Sequence, residues 1–113
     1  MQPGEIYLAR FPFGDKPGMK LRPVLVLTPP VGPVPEVAVA YISSVLPETL
    51  LPSDIEIDPT QTQHEKTHLK KTSVLRLHKL ATIHVSSLAR KLGTLDDRTR
   101  AQAGGKLRNF LRL

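Results

Sequence analysis

Residues 22–28, RPVLVLT, and Glu36–Ser43, EVAVAYIS, bracket the connection PPVGPVP, and this arrangement leaves the first half of the chain little choice of structure. Both runs are short, β-branched and nearly all apolar, which suits strands buried on both faces, and the prolines between them forbid a continuous helix. We read them as neighbouring antiparallel strands joined by a stiff link. Pro23 restricts Arg22 to an extended backbone and cannot donate to a ladder, so it belongs at a sheet end. Arg22 is thereby aimed from a rigid strand terminus. Such an arginine either pairs with an acidic neighbour or is held ready for an anion.

The other segments complete the pattern. Glu5–Phe11, EIYLARF, reads as a strand, and residues 13–20, FGDKPGMK, as a loop carrying its own charges. In residues 53–58, SDIEID, Ile55 and Ile57 share one face while Asp54, Glu56 and Asp58 share the other, predicting a strand with one wet side. Residues 73–80, SVLRLHKL, alternate as well. Leu75 and Leu77 face inward there, and Val74, Arg76 and His78 share the opposite face. Residues two apart on a strand lie about 6.5–7 Å from each other, so Arg76 and His78 can serve one ligand. Towards the end, Thr94 and Asp97 resemble a helix cap, and Ala103, Leu107, Phe110 and Leu111 follow at helical spacing. Gly104 and Gly105 interrupt this helix, at about 1 kcal/mol each relative to alanine. Five or six short strands and a terminal helix describe a small, strongly bent antiparallel sheet or barrel.

With 113 residues the chain is expected to form one domain, residues 1–113. It contains no cysteine, which excludes disulfides, thiolate nucleophiles and cysteine metal sites. No apolar run approaches the roughly 20 residues of a membrane span, and Met1 leads into polar residues without a signal-peptide pattern, so a cytoplasmic protein with no membrane partner is expected. Charge is divided unevenly. Residues 1–63 hold four Lys and Arg against seven Asp and Glu, whereas residues 64–113 hold twelve against three. A basic half of net charge +9 favours a polyanion or an acidic protein segment as partner, although any single cation of a helix is more often merely solvated.

His64-Glu65-Lys66-Thr67-His68 is a literal H-E-x-x-H, the zinc-protease signature. That chemistry needs both histidines on one face of an amphipathic helix, usually with a third protein ligand. Here the preceding DPTQTQ has no apolar face, and the next carboxylate is Asp96. The reading is therefore a solvated loop with His64 and His68 on the surface and no metal. A zinc protease remains the reading that chelators would test.

At this point the order of segments resembles a known family. PGEIYLARFPFGDKPGMKLRPVLVL is similar to the N-terminal signature of the PemK/MazF type II toxins, with Gly-Glu-Ile, a strand, a variable loop and Lys-x-Arg-Pro. AYISS resembles the strand end that carries a Thr or Ser, and SVLRLHKLATIHVSSLARKLGTL resembles the Ser-Val-x-Arg-x-Asp-x-x-x-Thr-Ile-Asp block with its Lys-Leu-Gly-x-Leu. The resemblance implies an SH3-like, CcdB/PemK-type antiparallel barrel with a C-terminal helix. It also implies a homodimer and a metal-independent endoribonuclease, without cofactor, that cuts single-stranded RNA and is silenced by an acidic antitoxin. Its catalytic residues fall on Arg22, Ser43 and Arg76, and the Asp proposed as base in some members is His78 here. The family also often has Gly-Leu where this chain has His68-Leu69. Lys16, Lys20 and Lys79 are placed to contact RNA.

The chemistry is consistent with those residue types. Metal-free RNA cleavage uses the 2′-hydroxyl as nucleophile and needs a proton acceptor, stabilisation of the phosphorane-like charge, and protonation of the leaving 5′-oxygen. Guanidinium groups of Arg22 and Arg76 match phosphate in a bidentate fork, but an arginine is a poor proton donor. A histidine at 78 exchanges protons nearer neutrality than an aspartate. Ser43 is suited to a phosphate oxygen or the 2′-hydroxyl. Two alternatives stand beside this reading: a barrel that binds nucleic acid or protein without cutting it, and a poison of a protein target like the CcdB toxins, because fold does not settle function.

Overall fold

A computed structural model describes residues 1–11 and 20–113, without the side chain of Phe11. Lys16 and most of the expected loop lie outside the described residues. The strands are β1 (Glu5–Phe11), β2 (Lys20–Val26), β3 (Glu36–Ser43), β4 (Asp54–Ile57), β5 (Ser73–His84) and β6 (Leu88–Thr94), followed by helix α1 (Asp97–Leu111). They form one antiparallel sheet in the order β4-β5-β3-β2-β1-β6. The mainly β architecture with a terminal helix is as expected. Among the described residues β4 and β6 do not pair, so the sheet bends without being closed by backbone hydrogen bonds.

Burial on both faces of β2 explains its apolar run. Val24 and Val26 enter one core cluster with Ala9, Val37 and Val39. Leu25 enters the other with Ile6, Ile42, Ile55, Leu75 and Ala103. β6 was not legible as a strand because, among the described residues, it pairs only with β1, and its run Ala89, Arg90 and Lys91 faces solvent without alternation. β5 also runs four residues beyond the alternating stretch. Its pairing with β3 jumps from Ala40↔Leu80 to Tyr41↔Arg76, leaving Leu77, His78 and Lys79 unmatched by β3, and the Leu77 N–H donates to Ser53 O instead.

Three expectations are corrected. Asp54 is not on a wet face: its side chain is 0% exposed, because the register sets it opposite Arg76, which neutralises it. The helix is capped by Asp96, whose carboxylate accepts from Thr99 N–H at 3.0 Å, while Thr94 ends β6. Finally, residues Thr62–Thr67 form a 3₁₀ turn, and His64 is only 4% exposed, with Nε2 3.2 Å from Thr99 Oγ1. Its Nδ1 is buried, with no hydrogen-bond partner among the described residues.

The turn docks on β6 at Gly93. A Cβ there would stand 2.1 Å from Lys66 O and 2.6 Å from Thr67 O, so only glycine allows the two backbones to meet. His68 ends the turn in the left-handed region, at φ 54°, and its Nδ1 lies 2.7 Å from Leu92 O. The two histidines of H-E-x-x-H are thus held by separate partners on different elements. Among the described residues no group of three or more His, Asp and Glu side chains is placed to hold a metal ion.

Helix α1 buries Thr99 and Ala103 but leaves Phe110 and Leu111 about half exposed. Gly104 and Gly105 have open space where a Cβ would stand. Replacing both with alanine is expected to stabilise the protein by roughly 1–2 kcal/mol, which thermal denaturation would register as a higher Tm. No helix among the described residues is long and apolar enough to cross a membrane.

Candidate functional site

The rim of the sheet where β2 begins and β3 ends opens into a cavity of about 330 Å³. Arg22 and Pro23 come from β2, Tyr41 and Ser43 from β3, and Leu8 and Leu92 supply apolar wall. The 3₁₀ turn brings His68 to it, the following loop brings Lys70 and Lys71, and β6 brings Arg90. Four cations therefore border one hollow, and among the described residues that line it none is acidic. Lys91, next to Arg90, is instead paired with Glu5 at 2.6 Å, which holds the Glu5 carboxyl below its usual range.

Arg22 is half-buried, and among the described residues nothing forms an ion pair or hydrogen bond with its guanidinium. A desolvated cation left unpaired is costly unless an anion completes it, so the geometry suits a phosphate. Ser43 lies beside it, largely buried. Its Oγ accepts from Val45 N–H at 3.1 Å and donates to Val45 O at 3.3 Å, which ends the strand with a local turn.

Arg76 and His78 are brought together, but not into this cavity. Arg76 Nε and Nη2 donate to Asp54 Oδ1 and Oδ2 at 3.0 and 3.3 Å, and Leu51 N–H donates to Oδ2 at 2.8 Å. Burial alone would raise the Asp54 pKa; the bonds from Arg76 and Leu51 outweigh it and hold the carboxyl below its ordinary value. His78 Nδ1 is hydrogen-bonded to Ser53 Oγ at 2.7 Å and lies 3.9 Å from Asp54 Oδ1. Its pKa is lowered, first by burial and then by the Arg76 charge, with Asp54 opposing. The ring meets Phe110 of α1 edge-on at 6.3 Å. This cluster ties β4 and β5 to the helix, and the ladder jump in β5 is what turns His78 that way.

Lys20 is exposed at the start of β2, outside the cavity lining. Lys79 is exposed with its ammonium 5.8 Å from the Tyr41 ring centroid. Sequence reasoning missed His68, Lys70, Lys71 and Arg90 as cavity residues. The polar run HLKK was their visible trace, but its meaning depends on where the turn docks.

The chain is a small, mainly β protein: a bent antiparallel sheet with a terminal helix, whose cavity is bordered by four cations and, among the described residues, by no acidic side chain. The sequence family of PemK-like, MazF-like toxins of type II toxin-antitoxin systems matches residues 2–111, and the chain belongs to that family. Among solved structures, Mycobacterium tuberculosis toxin MazF-mt6 is similar at 25% identity and a TM-score of 0.74, with 96% of this chain and 97% of that chain covered. An endoribonuclease in complex with its cognate antitoxin from a mycobacterial species has the same fold at 16% identity and a TM-score of 0.72, covering 100% and 96%. MazF from Deinococcus radiodurans matches at 16% identity and a TM-score of 0.71, covering 100% and 97%. No curated protein sequence matches.

Proposed function

We propose that this toxin-family protein is an endoribonuclease that seats a phosphate of single-stranded RNA in the Arg22–Ser43 cavity and cleaves the chain through the adjacent 2′-hydroxyl, without a metal ion. The observation that carries this reading is the half-buried Arg22, which among the described residues has no ion-pair partner, in a cavity bordered by Lys70, Lys71 and Arg90 and, among those residues, by no acidic side chain. A guanidinium in that position donates two parallel hydrogen bonds to the non-bridging oxygens, and its charge balances the phosphorane-like state. Ser43 Oγ supplies one further donor. Unpaired bases of single-stranded RNA can splay against the apolar walls while the cations follow the backbone.

The same charge suits an acidic antitoxin segment, which would cover Arg22 and exclude RNA; an antitoxin complex of a structural relative supports this partner. A homodimer is likewise proposed from the family. The protein, incubated with mixed-sequence single-stranded RNA in excess EDTA, is expected to leave 5′-hydroxyl and 2′,3′-cyclic phosphate ends. RNA left intact by the protein under these conditions would overturn the proposal. One observation favours binding without cleavage: Arg76 and His78 face Asp54 and Ser53, not the cavity. In that case RNA is retained on the protein and recovered uncut.

A further inference from the structure

From the geometry of the 3₁₀ turn we infer that His68 is the general base of this cavity, accepting the proton of the RNA 2′-hydroxyl on its Nε2. This rests on the nuclease reading above and adds to it the one role that neither Arg22 nor Ser43 is suited to fill.

Three observations carry it. First, His68 lines the same cavity as Arg22 and Ser43, whereas His78 does not. Second, the ring is held in one tautomer. Nδ1 lies 2.7 Å from Leu92 O, and a carbonyl oxygen only accepts, so Nδ1 carries the hydrogen. In the neutral imidazole the lone pair is then on Nε2, the arrangement of a histidine oriented for proton transfer. Third, the residue stands in the left-handed region at φ 54°, which a Cβ opposes and glycine adopts freely. A histidine standing there at a conformational cost, fixed by the carbonyl of partly buried Leu92 and exposed at the cavity, is the kind of local strain that clusters at working sites.

The docking of the turn is what aims the ring. Gly93 lets Lys66 O and Thr67 O approach β6, and Leu92, one residue earlier on that strand, presents its carbonyl to Nδ1. With a phosphate held by Arg22, Nε2 takes the proton from O2′ as O2′ bonds to phosphorus. The P–O5′ bond breaks, O5′ leaves with the bonding pair and is protonated by water, and the imidazolium returns its proton to solvent. The products are a 2′,3′-cyclic phosphate and a 5′-hydroxyl, so atoms and charge balance without a co-reactant.

The test uses the full chain and two variants. His68→Gly suits the backbone conformation, and His68→Asn tolerates it while still offering an amide hydrogen to Leu92 O; neither accepts a proton. Both are expected to keep the parental Tm within about 5 °C and to bind RNA within a few-fold of the parent. Their cleavage rate is expected to fall about 100-fold or more, to lose the acidic limb of the parental pH profile, and, for His68→Gly, to recover in part with added imidazole. Parental rates with an unchanged pH profile in either folded variant would overturn the assignment. So would a loss of RNA binding as large as the loss of cleavage, which would make His68 a binding group only. If the parent itself leaves RNA uncut, the nuclease reading falls and this role with it; if the parent cuts and the variants cut equally, only the role of His68 falls.

Discussion

Replacing Arg22 by alanine is expected to lower the RNA cleavage rate by about 10²–10³-fold while leaving the fold intact, a loss of roughly 3–4 kcal/mol of transition-state stabilisation. The reason lies in what the guanidinium does not touch. Among the described residues it has no carboxylate or carbonyl partner, so its removal breaks no structural bond and relieves a desolvated charge. Stability should therefore stay the same or rise slightly. Arg22→Lys is the sharper control. It keeps the charge but loses the planar fork, and if bidentate donation to phosphate matters, it recovers only part of the rate. Single-turnover cleavage of one defined RNA, with Tm measured in parallel, separates these outcomes. A variant that unfolds, or one that cuts as fast as the parent, would remove Arg22 from the site. The same substitution should also weaken an acidic antitoxin peptide, and its binding should fall steeply with salt.

The largest effect on stability is expected at Asp54. Its carboxylate is fully enclosed and receives three hydrogen bonds, two from Arg76 and one from Leu51. Asp54→Ala leaves the Arg76 guanidinium, only 17% exposed, without its counter-charge and is expected to cost about 3 kcal/mol in urea denaturation at pH 7. Replacing both partners with apolar residues, as in Asp54→Leu with Arg76→Met, should restore much of it, because the penalty is the stranded charge and not the lost pair itself. The pH dependence follows from the direction of the shifts. The Asp54 pKa is lower in the folded protein than in the unfolded chain, so its contribution is complete above the ordinary carboxylate pKa near 4 and is lost as pH falls through the folded value. The His78 pKa is also lowered on folding, so the unfolded chain takes up that proton first and stability declines as pH drops below about 6.5. Tm should thus fall in two stages on acidification. The lower stage should shrink in Asp54→Ala without disappearing, because Glu5, Asp58 and Asp96 are also held below their ordinary carboxylate values, and the upper one should be lost in His78→Ala.

Both results bear on how the two clusters divide the work. The cavity is bordered by cations that, among the described residues, have no ion-pair partner. The Asp54–Arg76–His78 cluster satisfies its own charges and joins the β4–β5 hairpin to α1. The two share the interior strands β3 and β5 through the Tyr41↔Arg76 pairing, which leaves them adjacent but chemically distinct.

Much of the architecture was legible in the residues. The double-sided burial of β2 follows from its unbroken Val and Leu run, the strand ends follow from proline and glycine, and the position of Arg22 at a sheet rim follows from Pro23. These are local properties, set by sterics and hydrophobic periodicity within a few residues. The same rules failed where a distant partner decides. Alternation put Asp54 on a wet face because nothing in SDIEID reveals that Arg76 will stand opposite it. Polarity put His64 on the surface because nothing in QTQHEKTHLKK reveals that Thr99 and β6 will cover it. Strand order, the ladder jump that turns His78 towards Phe110, and the docking of the 3₁₀ turn at Gly93 are consequences of contacts between residues tens of positions apart. The residues alone thus marked strands β1 to β5, the helix, the basic balance and the arginine at the rim; tertiary structure decided the pairing of β6 and which histidine shares the cavity with that arginine, because a side chain's chemistry is local while its neighbours are set by the packing of the whole sheet.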